Sequence, residues 1–245
     1  MLRSDLTAGE QRAILRLDGQ KQRYRSRADI VRPGEIVQAT CLVVQGVVAR
    51  FDQMLDGRRQ LTSFYIAGDM CDLHSVVAPK ASWSITAISD VTVLRVPHTQ
   101  LRDLCLAYPA IALAFWRDGT ADASIFSKWV GNLGRKNAAA RIAHLVCEMA
   151  VRIEAAGLGK RKAFDLPVVQ EHIAEATGIT VVHANRTLQE LRARALLRIG
   201  GGRVEIPDWN ALADAAEFDP DYLLLEGPPH RVAPRQEQAR PAPVG

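Results

Sequence analysis

The spacing of apolar positions changes several times along the chain. Residues from about 5 to 26 follow helical spacing. They include "LTAGEQRAILRL", where Thr7 stands as a cap with Glu10 three residues on, the reciprocal capping-box pattern. From Ile30 to Pro97 the period falls to two, in short runs such as "EIVQATCLVVQGVVARFDQ" and "SWSITAISDVTVLRVP". Pro33-Gly34, Asp56-Gly57, Ala67-Gly68-Asp69 and Ser89-Asp90 punctuate these runs. Asp-Gly suits a hairpin turn because glycine tolerates positive φ. Many short strands with regular turns predict a small antiparallel sandwich or barrel.

From about Thr99 to Ala156 the period is helical again, over a stretch too long for one ordinary helix. Phe115, Gly119, Asp122, Phe126, Trp129 and Leu133 fall on one face. That face has two readings: packing against the chain's own barrel, or a seam between two copies. The seam is preferred, with Phe115, Phe126, Trp129 and Leu133 as its apolar contacts. A second helix, "NAAARIAHLVCEMAVRIEAAG", aligns Ile142, Leu145, Val146, Met149 and Ile153 and stops at Gly157.

The region from Phe164 to Ile206 has a different organisation. Pro167 suits the first turn of a helix, on which Ile173 and Ala174 share a face. Gly178 supplies a permissive turn, and Thr180 can cap the next helix. On residues 181–193, at 100° per residue, Ala184, Thr187, Leu188 and Leu191 face inward. Val182, Arg186 and Gln189 face outward, with His183, Asn185 and Glu190 on the flanks. Arginine can bond guanine, and asparagine or glutamine adenine, through two hydrogen bonds each, while Val182 can meet only a thymine methyl. Short strands at Leu197–Ile199 and Val204–Ile206 enclose three glycines, with Arg198 and Arg203 beside the tip. This is a helix-turn-helix followed by a wing. Its candidate DNA-binding residues are Thr180, Val182, His183, Asn185, Arg186, Gln189, Arg198 and Arg203.

Composition and charge sharpen this picture. The chain has 245 residues, 48% of them hydrophobic, and a net charge of +4, as expected of one large or two ordinary globular domains. Between Arg135 and Arg203 stand twelve cations and six anions, a local +6 that exceeds the charge of the whole chain. Positive charge therefore gathers on the proposed reading head, as a polyanion partner requires. No apolar run spans a membrane, and the opening residues lack a signal peptide's apolar core, so the chain is expected in the cytoplasm. Cys41, Cys71, Cys105 and Cys147 are too widely spaced for a disulfide framework. Cys71 and His74 form a C-x-x-H with His98 further on. That is too few ligands for a zinc site or a barrel-based metalloenzyme. No metal, no cofactor and no enzymatic activity are expected. The segment 227–245 is rich in proline and polar residues and is expected to be disordered.

"GITVVHANRTLQELRARALL" with its wing resembles the C-terminal domain of Crp/Fnr-type bacterial transcription regulators. "DGRRQLTSFYIAGDMCDLHS" resembles the later strands of that family's cyclic-nucleotide-binding-like barrel. "VGNL" followed by "RIA" is similar to the end of its dimer helix and the start of the next helix. The resemblance covers residues 15–207. It implies an α+β fold: an antiparallel β-barrel sensor domain over 1–107, a long central dimerisation helix over 108–136, and a winged helix-turn-helix over 137–226. It further implies a homodimer on palindromic double-stranded DNA, with RNA polymerase as a candidate partner. Arg186 falls where the family carries a base-contacting arginine, and Val182 where many members carry glutamate. Cyclic-nucleotide binders hold phosphate with an Arg-Ser pair, whereas this chain has Ala81-Ser82. Tight binding of cyclic AMP is not expected, and the effector is unknown. Asp72, Ser82, Trp83 and Thr86 form the candidate ligand pocket, with core packing the simpler role for Trp83. The alternative is a regulator of the same fold that depends on a cyclic nucleotide or another small molecule.

Overall fold

A computed structural model describes residues 4–225; the segment 227–245 lies outside them. Helix α1 (Ala8–Leu15) carries the capping box read from Thr7 and Glu10. Glu10 N–H donates to Thr7 Oγ1 at 3.3 Å, and Thr7 N–H to the Glu10 carboxylate at 2.7 Å. The helix does not continue to residue 26. Gly19 comes so close to the Arg95 carbonyl that an added Cβ would sit 2.7 Å from it, and Gln20–Tyr24 then forms strand β1. An alternating "QKQRY" read as helix is in fact the edge of a sheet.

The strands that follow are β2 (Asp29–Val31), β3 (Ala39–Gln45), β4 (Val48–Gln53), β5 (Arg59–Tyr65), β6 (Ser84–Ala87) and β7 (Val91–Pro97). They make two antiparallel sheets, ordered β1-β7-β3 and β2-β6-β4-β5. Gly57, at φ 83°, turns the β4–β5 hairpin. Alternation along that hairpin feeds two separate cores. Val48 and Tyr65 point into the barrel with Val43, Ile85 and Val93. Ala49, Phe51, Leu61 and Phe64 point outward into a second core shared with the helices. The hairpin is thus buried on both faces, which joins the barrel to the rest of the chain.

The long helical stretch is three helices: α2 (His98–Ala107), α3 (Pro109–Arg135) and α4 (Ala138–Ala155). Tyr108 leaves the helical region, at φ −134° and ψ 85°, and Pro109 opens α3, because proline disfavours helical angles in the residue before it. The 27 residues of α3 reach about 40 Å at 1.5 Å per residue. Lys136 is extended, and Asn137 caps α4 by accepting from Ala140 N–H at 2.9 Å. Every residue of α4 from Ile142 to Ile153 is buried. Around α4 fold β8 (Ala163–Asp165), α5 (Gln170–Thr177), α6 (Val181–Ala193), β9 (Arg198–Gly200), β10 (Arg203–Glu205) and α7 (Trp209–Ala216). The small sheet is ordered β8-β10-β9, so the wing is backed by a third strand that periodicity did not reveal. Pro167 precedes α5 in extended chain and is not part of its first turn.

Candidate nucleic-acid interface and sensor cavity

The turn between α5 and α6 depends on Gly178. Its φ of 64° is left-handed, and its N–H closes α5 onto the Ala174 carbonyl. An added Cβ would also lie 3.0 Å from Leu133 Cδ2, so backbone angle and space both call for glycine. Thr180 Oγ1 then accepts from His183 N–H at 3.2 Å and caps α6. Thr180 therefore acts here through the backbone of the helix.

Ala184, Thr187 and Leu191 are buried under α6 and Leu188 is half-buried. On the opposite side Val182 is 81% exposed, and Arg186 and Gln189 are also exposed. Arg186 Nε lies 3.9 Å from Glu190 Oε1, with both side chains in solvent. Such pairs contribute only about 0.3–0.5 kcal/mol, so a stronger acceptor displaces Glu190. His183 is half-buried at the flank. Asn185 donates through Nδ2 to Gln170 Oε1 at 3.0 Å, which ties the flank of α6 to the start of α5. In the wing, Gly201 and Gly202 both have positive φ, 60° and 78°, the two-residue hairpin form that matches strand twist. Arg203 pairs with Asp165 at 3.1 Å and reaches Glu205 at 4.0 Å, and Arg198 lies 3.8 Å from Glu205. Sequence reasoning missed the Asp165 pairing because it missed β8.

The predicted ligand residues do not form one site. Ser82 and Trp83 line a cavity of about 790 Å³ between barrel and α3, together with Arg50, His74, Trp116 and Phe126. Asp72 does not line it. Its carboxylate turns into the barrel and accepts from Thr40 Oγ1 at 2.6 Å and Cys41 N–H at 2.8 Å. Thr86 is bonded to the Ala28 carbonyl across β6 and β2. Arg50 was not foreseen, since an arginine alternating between Ala49 and Phe51 reads as an ordinary outward residue. His74 packs against Trp83 with ring centres 4.2 Å apart. Burial, with Arg50 nearby, holds its pKa down at about 4, so the ring is neutral.

Cys71, His74 and His98 do not converge, because His98 Nε2 is bonded to Ser75 Oγ at 2.8 Å. Donor atoms of Cys41, Cys71 and Asp72 lie within 4.8 Å of one another inside the barrel. The Cys71 thiol is pushed up by its hydrogen bond to Cys41 and by burial, and burial also raises the Asp72 carboxyl. Buried thiols act as small hydrophobes in a core.

On α3 the stripe read from sequence and the exposed face differ by one residue in phase. Trp129 is buried, edge-on to Phe64, and its Nε1 donates to Glu148 Oε2 at 2.9 Å. Leu133 lies against Gly178, and Phe115 packs near Leu6 and Ile111. Of the four, only Phe126 is exposed. The continuous exposed face is Leu113, Trp116, Thr120, Ala123, Ser127, Val130 and Gly134, at alternating three- and four-residue steps. The predicted stripe is the half-buried flank of this face.

Buried charge ties barrel and reading head together. Arg152 donates to the Phe64 carbonyl at 2.7 Å, to Asp69 at 2.9 Å and to Glu148 at 3.2 Å. Burial opposes its charge, but Asp69 and Glu148 outweigh that and raise its pKa. Tyr222 OH donates to Glu148 at 3.0 Å and meets His144 Nε2 at 3.1 Å. Arg59 and Glu175, both partly buried, pair at 3.2 Å, and Arg141 donates to the Thr177 carbonyl at 3.0 Å.

Known proteins share both halves of this arrangement. The family model described as a cyclic nucleotide-binding domain matches residues 21–108, and that of a Crp-like helix-turn-helix domain matches residues 140–215. The nitrogen fixation regulation protein FixK of Azorhizobium caulinodans is 25% identical over 190 residues, 77% of this chain and 76% of its own. The transcriptional activator protein FnrL of Cereibacter sphaeroides is 23% identical over 202 residues, 81% of each chain. The solved structure of FixK2 from Bradyrhizobium japonicum superposes with a TM-score of 0.73 at 25% identity, covering 81% of this chain and 98% of that one. These relatives are regulators of transcription, not enzymes. Among the described residues no helix is long and apolar enough to cross a membrane.

Proposed function

Because the chain belongs to the Crp/Fnr family of DNA-binding transcription regulators, we propose that it works as a homodimer on a palindromic site, gated by a small molecule other than cyclic AMP. The observation that carries this reading is the exposed face of α6. It sets Val182, Arg186 and Gln189 outward on a capped helix with a buried back. Arg186 would read guanine, and Gln189 would read adenine. His183 and Asn185 would flank them, Thr180 would fix the helix start, and Arg198 and Arg203 would hold phosphate. With Val182 in place of a carboxylate, no acceptor meets a cytosine amino group at that position.

Residues 1–107 would sense, 108–136 pair and 137–226 read. Pairing would run along Leu113, Trp116, Ala123 and Val130. Two-fold symmetry then sets half-sites about one helical turn apart. The arginine that cyclic-nucleotide binders carry ahead of this serine is absent here, because Ala81, a buried methyl, stands before Ser82. Contact with RNA polymerase, in the cytoplasm, completes the proposal.

The test is selection of binding sites from random duplexes by the purified protein, with Arg186→Ala as the control. Enrichment of a palindrome by the parent, and a loss of about 10- to 100-fold in affinity for it in the variant, is expected. Unchanged specific binding in a folded variant overturns the assigned face.

A further inference from the structure

We infer that the cavity between the barrel and α3 is a receptor for a small aromatic acid, a flat apolar body bearing one anionic group that Arg50 holds. This rests on reading the barrel as the effector domain. It goes further by naming what the domain takes. At about 790 Å³ the cavity is of the size that holds drug-sized ligands. Phe51, Leu73, Trp83, Phe115, Trp116 and Phe126 form its walls, so most of a ligand's surface would meet ring or aliphatic carbon.

Arg50 is the exception in that wall. It is half-buried, and its guanidinium carbon lies 4.9 Å from the Trp83 ring centre and 5.9 Å from that of Phe126. Its Nε donates to Thr62 Oγ1 at 3.1 Å, which fixes the plane of the group. Among the described residues no carboxylate comes within 4.0 Å of it, whereas Arg59 and Arg152 are paired with carboxylates. A half-buried cation without an anion is costly, and a planar fork held between two rings is suited to an anion that accepts two hydrogen bonds. The two acidic residues on the lining do not supply it. Asp122 accepts from Tyr65 OH at 3.4 Å and acts on Arg152, while Asp52 is exposed at the rim. His74 is neutral and packs at a tilt against Trp83, so it adds an aromatic surface without a competing charge. A cyclic nucleotide suits this lining poorly. Its sugar hydroxyls and base edges would face phenylalanine, leucine and valine, with Ser82 and Thr62 the only hydroxyls on the wall among the described residues. The cavity lies beside Trp116, which is also on the exposed α3 face, so occupancy would bear directly on pairing.

Two fluorescent probes of similar shape and different charge test the inference on the full chain. They are anilinonaphthalene sulfonate, an aromatic anion, and N-phenylnaphthylamine, its uncharged counterpart. Both are expected to bind the parent saturably. Arg50→Gln is expected to weaken the anion roughly tenfold, the loss of one charge-assisted contact, and to leave the neutral probe within about twofold. Ala112→Phe, which fills the cavity from α3, is expected to abolish both, and naphthoate is expected to displace the anion where naphthylmethanol does not. Equal affinities of both probes in Arg50→Gln and parent, or displacement by cyclic AMP as effective as by naphthoate, overturns the inference. Circular dichroism and palindrome binding by each variant separate loss of the site from loss of the fold. If neither probe binds a parent that still selects a palindrome, the aromatic-acid receptor is excluded while the DNA reading stands.

Discussion

The reading head and the barrel use the same kinds of residue but express them differently. In the reading head each functional feature is made by residues a few positions apart: Gly178 turns, Thr180 caps, and Val182, Arg186 and Gln189 share an exposed face by helical spacing. In the barrel the cavity is assembled from Arg50, Trp83, Trp116 and Phe126, which come from a strand, a loop and a helix. Local periodicity can report the first and is blind to the second. A surface meant to bind another molecule can therefore be read from sequence when one helix carries it. It cannot when the fold must bring its parts together.

The largest effect should come at the joint between the two regions. Arg152 is 4% exposed and Glu148 is fully buried. Arg152→Leu removes the cation and leaves Glu148 and Asp69 facing a hole in the core. Breaking one side of a buried pair costs about 3–5 kcal/mol. Urea unfolding of the variant should show that loss, and specific DNA binding should fall with it, because Trp129 and Tyr222 both anchor on Glu148. A loss below about 1 kcal/mol, the scale of an exposed pair, would mean that the two regions are joined by apolar packing alone. Barrel and reading head would then be separable units of stability as well.

A smaller effect should appear with pH. Burial, with Lys136 and Lys128 nearby, holds His144 neutral with its pKa down at about 3. In the unfolded chain it protonates near its ordinary value of 6.5. Between those values the unfolded state binds the extra proton, so stability falls as pH drops from about 6.5. The slope approaches about 1.4 kcal/mol per pH unit once the unfolded histidine is charged. His74, held at about 4, steepens the same window. His144→Phe keeps a ring against Tyr222 and Phe218. Urea midpoints at pH 7 and pH 5 should differ less in that variant than in the parent. An equal difference would place the acid sensitivity elsewhere, in the barrel histidine first.

How much could be read from sequence follows from these particulars. The buried back of α6, the cap at Thr180 and the glycine hairpin of the wing were legible because period and turn chemistry are local. The helix breaks at Tyr108 and Lys136 were less so, although Pro109 marks the first of them. The phase of α3 was not legible: the stripe of Phe115, Phe126, Trp129 and Leu133 and the exposed stripe of Leu113, Trp116 and Val130 are both apolar at the same spacing. Only the packing of Trp129 on Glu148 and of Leu133 on Gly178 decides which one turns inward. Asp72 and Thr86 were misplaced for a related reason, since strand alternation gives a face but not the side of the barrel on which the cavity opens.

The smallest predicted effect sharpens the reading head itself. Arg203 is assigned to phosphate, yet in the free protein it pairs with Asp165 at 3.1 Å, on the strand that sequence did not show. Arg203→Gln should weaken binding to all duplexes alike and lower the slope of log affinity against log salt by about 1, as one lost phosphate contact does. Asp165→Asn should do the opposite in affinity, because it frees Arg203 without touching DNA. Fluorescence anisotropy over a salt series reads both variants. A parallel shift with no change of slope in Arg203→Gln would mean that the arginine only braces the wing through Asp165. Recognition would then rest on α6 alone, and the wing would join the barrel among the parts whose role depends on tertiary contacts and not on sequence spacing.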